Sequence, residues 1–129
     1  MTTLLQIKQT QHAAHVPVTV FELAGELDGS NYDQFQKEGQ QAIAAGARYV
    51  VLDLSQLRYI SSAGLRVLYM LSKGLSTKSA ESNGNAGAFK SPYLKLLNPS
   101  STVHQALDVM GFNMSMEIHD DLQAALASF

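Results

Sequence analysis

Four consecutive apolar residues, Tyr49-Val50-Val51-Leu52, stop at Asp53. A run that short and that unbroken is too brief for a buried helix and lacks the polar alternation of a half-exposed strand. It reads as a central strand covered on both faces of a parallel or mixed sheet. From Ser61 onward Leu65, Leu68, Tyr69 and Leu75 recur at roughly helical spacing, with Ser61 or Ser62 available as the cap. The helix therefore begins only a few residues beyond the strand, and the fold must place layers on both sides of that strand.

The rest of the chain repeats this alternation. Leu4 to Thr10 and Val16 to Leu23 read as strands joined by a loop over His12 to Pro17. After Gly25-Glu26-Leu27-Asp28-Gly29, Ser30 or Asn31 caps a helix with Tyr32, Phe35, Ala42 and Ile43 on one face, ended by Gly46. Residues 76–92 are small, polar and Gly-rich, the composition of an exposed, flexible loop insertion. Tyr93 to Leu97 reads as a strand; Val103, Ala106, Leu107 and Met110 follow the caps Ser100 and Ser101 as a helical stripe closed by Gly111. Ser115 to Ile118 reads as a short strand, and Leu122, Ala125, Leu126 and Phe129 as a final helix led by Asp120 and Asp121. Such alternation predicts a single α/β domain over 1–129, a mixed or parallel sheet flanked by about four helices.

Composition narrows the function. With 129 residues and 46% hydrophobic content, the chain is long enough for one core. Its 9 Lys+Arg against 11 Asp+Glu leave a net charge of -2, which argues against nucleic acid as a partner. There is no Cys, so thiolate chemistry and cysteine-held metals are excluded. No apolar run approaches the ~20 residues of a membrane span and no basic-then-apolar leader opens the chain, which predicts a cytoplasmic protein without direct membrane insertion. His12, His15, His104 and His119 lack ligand spacing, no Gly-x-Ser-x-Gly elbow surrounds Ser61 or Ser62, and no Gly-x-x-x-x-Gly-Lys loop occurs. The expectation is a protein that is not an enzyme and uses no metal or cofactor.

The informative segment runs from Asp53 through Leu54, Ser55, Gln56, Leu57, Arg58, Tyr59, Ile60, Ser61, Ser62, Ala63, Gly64 and Leu65 to Arg66. Where a strand feeds a helix, the first helical turn presents unpaired N–H groups and the positive end of the dipole, so an anion is welcome there, including a phosphate on a local serine. Capping by one serine and close packing at Gly64 would account for the same residues.

This segment resembles the signature of STAS domains, the family of anti-sigma factor antagonists and of the cytoplasmic tails of sulfate transporters, and Gly25-Glu26-Leu27-Asp28 resembles the family's earlier motif. The resemblance implies a sheet flanked by helices, no catalysis, and reversible binding to an anti-sigma factor that is also a serine-protein kinase, with a serine phosphatase resetting the switch. Well-known members read Asp-Ser-Ser-Gly or Asp-Ser-Thr-Gly and are modified directly before the glycine. Here Ala63 holds that place, Ser61 matches the aspartate and Ser62 the first serine, which leaves Ser62, then Ser61, as the phosphorylation site. The resemblance assigns partner binding to Asp28, Asp53, Ser55, Ser61, Ser62, Ala63, Gly64 and Arg66. Its alternatives are an unmodified interaction scaffold and a companion subunit of a transporter complex.

Overall fold

The computed structural model describes residues 4–78, 91–112 and 115–129. The elements run β1 (Leu5–Ala13), β2 (Pro17–Leu27), α1 (Tyr32–Ala44), β3 (Val50–Ile60), α2 (Ser62–Lys78), β4 (Leu94–Leu97), α3 (Ser101–Val109), β5 (Ile118–His119) and α4 (Leu122–Ala127). They form one five-stranded sheet in the order β1-β2-β3-β4-β5. The β1-β2 pair is a hairpin, antiparallel from Leu5 opposite Gly25 to Ala13 opposite Pro17; every later pair is parallel and uses a helix as its crossover. The expected α/β domain with a mixed sheet is the one observed.

Strand periodicity divides the core between two faces. Phe21, Leu23 and Leu27 of β2 and Val50, Leu52, Leu54 and Leu57 of β3 point to one side, where Phe35 and Ile43 of α1, Leu68, Leu71 and Leu75 of α2, and Val103 and Leu107 of α3 cover them. Phe21 and Phe35 meet edge to face at 6.0 Å. The other face is smaller: Val18, Val20, Val51 and Leu97 lie under Ala125 and Leu126 of α4, and Tyr49 meets Phe129 at 5.5 Å. Val50 and Val51 thus serve opposite layers, which is why that run carries no polar residue.

Lys95 fastens α4 to this smaller face. Its side chain is 3% exposed, donates to the Ser128 carbonyl and hydroxyl at 3.0 and 2.9 Å, and lies over the Phe129 ring. Glu117 Oε1 stands 3.2 Å from this ammonium and 2.9 Å from His119 Nε2. Asp121 caps α4 by accepting from the Ala124 amide.

Several boundaries differ from the sequence reading. The first loop is shorter than His12–Pro17, because β1 continues through His12 and Ala13. The central strand extends to Ile60 instead of ending before Asp53, because Leu54, Leu57 and Ile60 remain buried. Tyr69 and Met110, placed on core stripes by spacing, are 52% and 57% exposed; Leu65, Leu68 and Leu75 already fill the inward side of α2, and Met110 is the C-cap of α3. In the expected loop, 76–78 belong to α2 and 79–90 lie outside the described residues; so do 113–114, and the last strand is Ile118–His119. Among the described residues no helix is long and apolar enough to cross a membrane.

Burial raises the Glu117 carboxyl pKa, but hydrogen bonds from His119 and Lys95 and their charge bring it below its ordinary 4.5. A depressed folded pKa means that the ionised form stabilises the fold fully above that ordinary value, and the contribution is lost as pH falls through the lower folded value. Glu117→Gln is expected to cost less than about 1 kcal/mol at pH 7, since this carboxylate is partly solvated. The gap from wild type should close once the carboxyl protonates in acid. Urea unfolding at neutral and acid pH measures it; an undiminished gap in acid would assign the loss to packing.

Candidate functional site

The carboxyl ends of β2 and β3 lie side by side, with Leu27 opposite Ile60 and the Ser61 amide donating to the Leu27 carbonyl at 2.9 Å. Beyond Leu27 the chain turns through Asp28-Gly29-Ser30-Asn31. Asp28 Oδ1 accepts from the Ser30 amide at 2.9 Å and its hydroxyl at 2.7 Å, an Asx-type turn. Asn31 is 4% exposed; its Oδ1 accepts from the Asp28 amide and its Nδ2 donates to the Glu26 carbonyl, both at 2.9 Å. Asn31 holds the N-cap position of α1 but makes no side-chain capping bond. Its amide is committed to closing the turn.

On the neighbouring strand the two adjacent serines separate into different roles. Ser61 is the cap of α2: its Oγ accepts from the Gly64 amide at 3.3 Å and its carbonyl from the Leu65 amide at 2.9 Å. Ser62 occupies the first helical position, is exposed, and makes no side-chain hydrogen bond among the described residues. The first turn of this 17-residue helix contains no acidic residue, so nothing on it offsets the positive end of the dipole. Gly64 is buried. A Cβ there would stand 2.8 Å from both Ile60 Cγ1 and Leu27 Cγ, so the glycine lets α2 rest directly on the two strand ends.

Asp28, Ser61, Ser62, Ala63, Gly64 and Arg66 therefore cluster at the carboxyl end of the sheet, with Gly64 beneath its surface. Asp53 and Ser55 do not join them. Asp53, expected at a strand end, is instead the fourth residue of β3, roughly 20 Å along the strand from Ser61. Its Oδ1 accepts from the Ser55 amide at 3.0 Å where the β2-β3 register shifts, and both residues line a shallow depression with Lys8, Glu22 and Gln56. Alternation along β3 places these two polar residues on the same side as Val51, where the sheet is open.

The surface next to Ser62 also includes residues the sequence reading did not select for it. Ser62, Arg66, Tyr69, Met70 and Lys73 follow one another at helical spacing and all are exposed, with the Lys73 ammonium 5.7 Å from the Tyr69 ring centre. The available signal was Met70, which continues the Ser62-Arg66 spacing and falls off the Leu65-Leu68 stripe, whereas Tyr69 fits both. An exposed Tyr-Met pair beside two cations suits contact with another protein.

The two serines differ testably in stability. Ser61→Ala removes a cap and is expected to cost about 1 kcal/mol, whereas Ser62→Ala should stay within about 0.5 kcal/mol of wild type. Gly64→Val, which drives a branched side chain into Leu27 and Ile60, should cost about 2 kcal/mol or more. Urea unfolding of the three variants checks the order; equal losses for the two serines would overturn this assignment of the cap.

The family model for the STAS domain matches residues 6–82. The chain is 32% identical over 107 residues, 83% of its length and 82% of the other's, to BtrV of Bordetella bronchiseptica, named there as a candidate anti-sigma factor antagonist. It is 28% identical over 123 residues, covering 95% of this chain and 92% of the relative, to an anti-sigma F factor antagonist of Paenibacillus polymyxa. Among solved structures, an anti-sigma factor antagonist from Mycobacterium paratuberculosis superposes with a TM-score of 0.75 at 17% identity, covering 97% of this chain and 93% of that one. The unphosphorylated form of SpoIIAA superposes with a TM-score of 0.69 at 21% identity, covering 94% and 92%. These structural likenesses concern the fold, and with the sequence matches they lead to one conclusion: the chain belongs to the STAS domain family.

Proposed function

We propose that this protein is an anti-sigma factor antagonist, a protein-binding switch that holds an anti-sigma factor with serine-kinase activity when unmodified and is released when Ser62 is phosphorylated. The observation that carries this reading is the separation of the serines. Ser61 is committed to the helix cap, while Ser62 presents a free hydroxyl at the first position of a helix with no acid in its first turn. The relatives named as antagonists, and the solution of SpoIIAA in both unphosphorylated and phosphorylated forms, support it.

The docking surface is the Asp28 turn together with Ser62, Ala63, Arg66, Tyr69 and Met70, underlain by Gly64. Asp53 and Ser55, lying away along β3, form no part of it. A phosphate on Ser62 adds about -1.5 to -2 charges to that surface and weakens docking without refolding the domain. The kinase supplies ATP, magnesium and the catalytic groups; a serine phosphatase restores the hydroxyl. Ala63 favours a second reading, in which the module is a constitutive scaffold, because the usual phosphoacceptor position lacks a hydroxyl.

Incubation with ATP, magnesium and the candidate kinase, followed by peptide mass spectrometry, separates the two. Phosphate is expected on Ser62, absent in Ser62→Ala and retained in Ser61→Ala. Calorimetric titration should show kinase affinity falling at least about tenfold in Ser62→Asp and in Tyr69→Ala combined with Met70→Ala. Binding without modification of either serine would establish the scaffold, and absence of kinase binding would exclude both.

A further inference from the structure

The two edges of the sheet are built differently. β5 is two residues long and offers almost no unpaired backbone. β1 is nine residues long, contains no proline, and pairs with β2 without a register shift. Natural edge strands are shielded by shortness, proline, bulges or inward charge; among these devices β1 has only Lys8, which stands opposite Glu22 on β2.

The phase of the hairpin shows which backbone groups are open. Glu26 N donates to Leu4 O at 3.1 Å, which makes Leu4 and Glu26 a hydrogen-bonded pair. In an antiparallel ladder such pairs alternate, so Gln6, Lys8, Thr10 and His12 bond inward to β2. Leu5, Ile7, Gln9, Gln11 and Ala13 therefore turn N–H and C=O away from the sheet, with Gln9 at their centre.

From this edge we infer that the protein self-associates: β1 pairs antiparallel with β1 of a second copy about a two-fold axis at Gln9, joining two sheets into one. Gln9 then faces Gln9 as a hydrogen-bonded pair, Ile7 faces Gln11 and Leu5 faces Ala13, for about ten backbone hydrogen bonds over the outward residues of both copies. On the opposite side of the sheet Lys8 faces Thr10 and Gln6 faces His12. No like charges stand directly opposite, and the diagonal approach of the two Lys8 ammoniums is offset by Glu22 beside each.

Charge complementarity favours a second copy as the occupant. A groove of about 580 Å³ above this edge is lined by Gln9, Gln34, Lys37, Glu38 and Gln41. Because Gln9 lies on the axis, the dimer merges the two grooves and runs the α1 helices antiparallel along their sides. The lining carries Lys37 and Glu38 side by side, so an antiparallel α1 pair offers each cation an anion on the other copy, twice by symmetry. The net charge of -2 per copy opposes this only weakly. Asp28, Ser61 and Ser62 are not part of the interface, so failure of kinase binding would leave the inference standing and the reverse holds equally.

Sedimentation equilibrium up to about 1 mM should show a monomer-dimer equilibrium. Gln9→Glu and Gln9→Lys each place like charges on the axis and should weaken association about fivefold, whereas an equimolar mixture of the two should recover it as a heterodimer. In wild type, rising concentration should slow amide exchange at Ile7, Gln9 and Gln11. A wild type monomeric throughout, a dimer indifferent to both substitutions, or a dimer without protection at those amides would each overturn the pairing.

Discussion

The carboxyl end of the sheet depends on the missing side chain at Gly64. The first turn of α2 rests on Leu27 and Ile60 at a distance that a Cβ would close to 2.8 Å. That approach seals two buried side chains, 0% and 4% exposed, which contribute on the order of 1.5 to 3 kcal/mol each through the apolar area they lose to water. It also fixes the chain between strand and helix. With Ile60 held opposite Leu27, the Ser61 amide meets the Leu27 carbonyl and its hydroxyl meets the Gly64 amide. Ser62 is then the first residue to face outward. One packing contact thus determines which serine is structural and which is presented.

Much of this was legible in the sequence because the signals were local. The apolar run at Tyr49 to Leu52 announced a strand buried on both faces, and Val50 and Val51 do enter opposite layers. The serine pair announced a cap, and Ser61 supplies it. The length of β3 was not legible, because two register shifts against β2 break the alternation that would have identified Leu54, Leu57 and Ile60 as one inward row. Asp53 looked like a strand terminus for a different reason: a charge following an apolar run signals an end unless that face of the sheet is open. The role of Asn31 was hidden differently. Its position suits capping, but buried polar groups must be satisfied, and the Glu26 carbonyl and Asp28 amide claim both ends of its side chain.

The smaller face explains why polar residues can occupy a central strand. α4 has six residues, enough to cover Val18, Val20, Val51 and Leu97 but not the whole sheet. Beyond its reach the strands present Lys8, Glu22, Asp53, Ser55 and Gln56, so that face is solvated where the helix ends. The boundary between the two regimes is held by Lys95, a cation that would be costly to bury alone and is tolerated because Glu117, the two Ser128 oxygens and the Phe129 ring surround it. A hydrophobic-pattern reading finds α4 but cannot find this anchor, since Lys95 interrupts an otherwise apolar strand and its partners lie far along the chain.

The placement of Ser62 also decides what kind of regulation this architecture can support. An anion at a helix N-terminus is favoured by about 0.3 to 1 kcal/mol at exposed sites, and the first turn of α2 has no acidic residue to oppose it. Arg66, one turn further on the same face, adds attraction. A phosphate at Ser62 would therefore be neutral or mildly favourable to the folded domain, whereas the same group on Ser61 would compete with the Gly64 amide contact and crowd the strand ends. A partner docked across Ser62, as proposed, would meet the opposite balance, because it would have to accommodate a dianion in place of a small hydroxyl. Under the proposed switch the penalty would fall on the complex while the fold is spared, so that a modification at this turn could act repeatedly on a domain that stays folded.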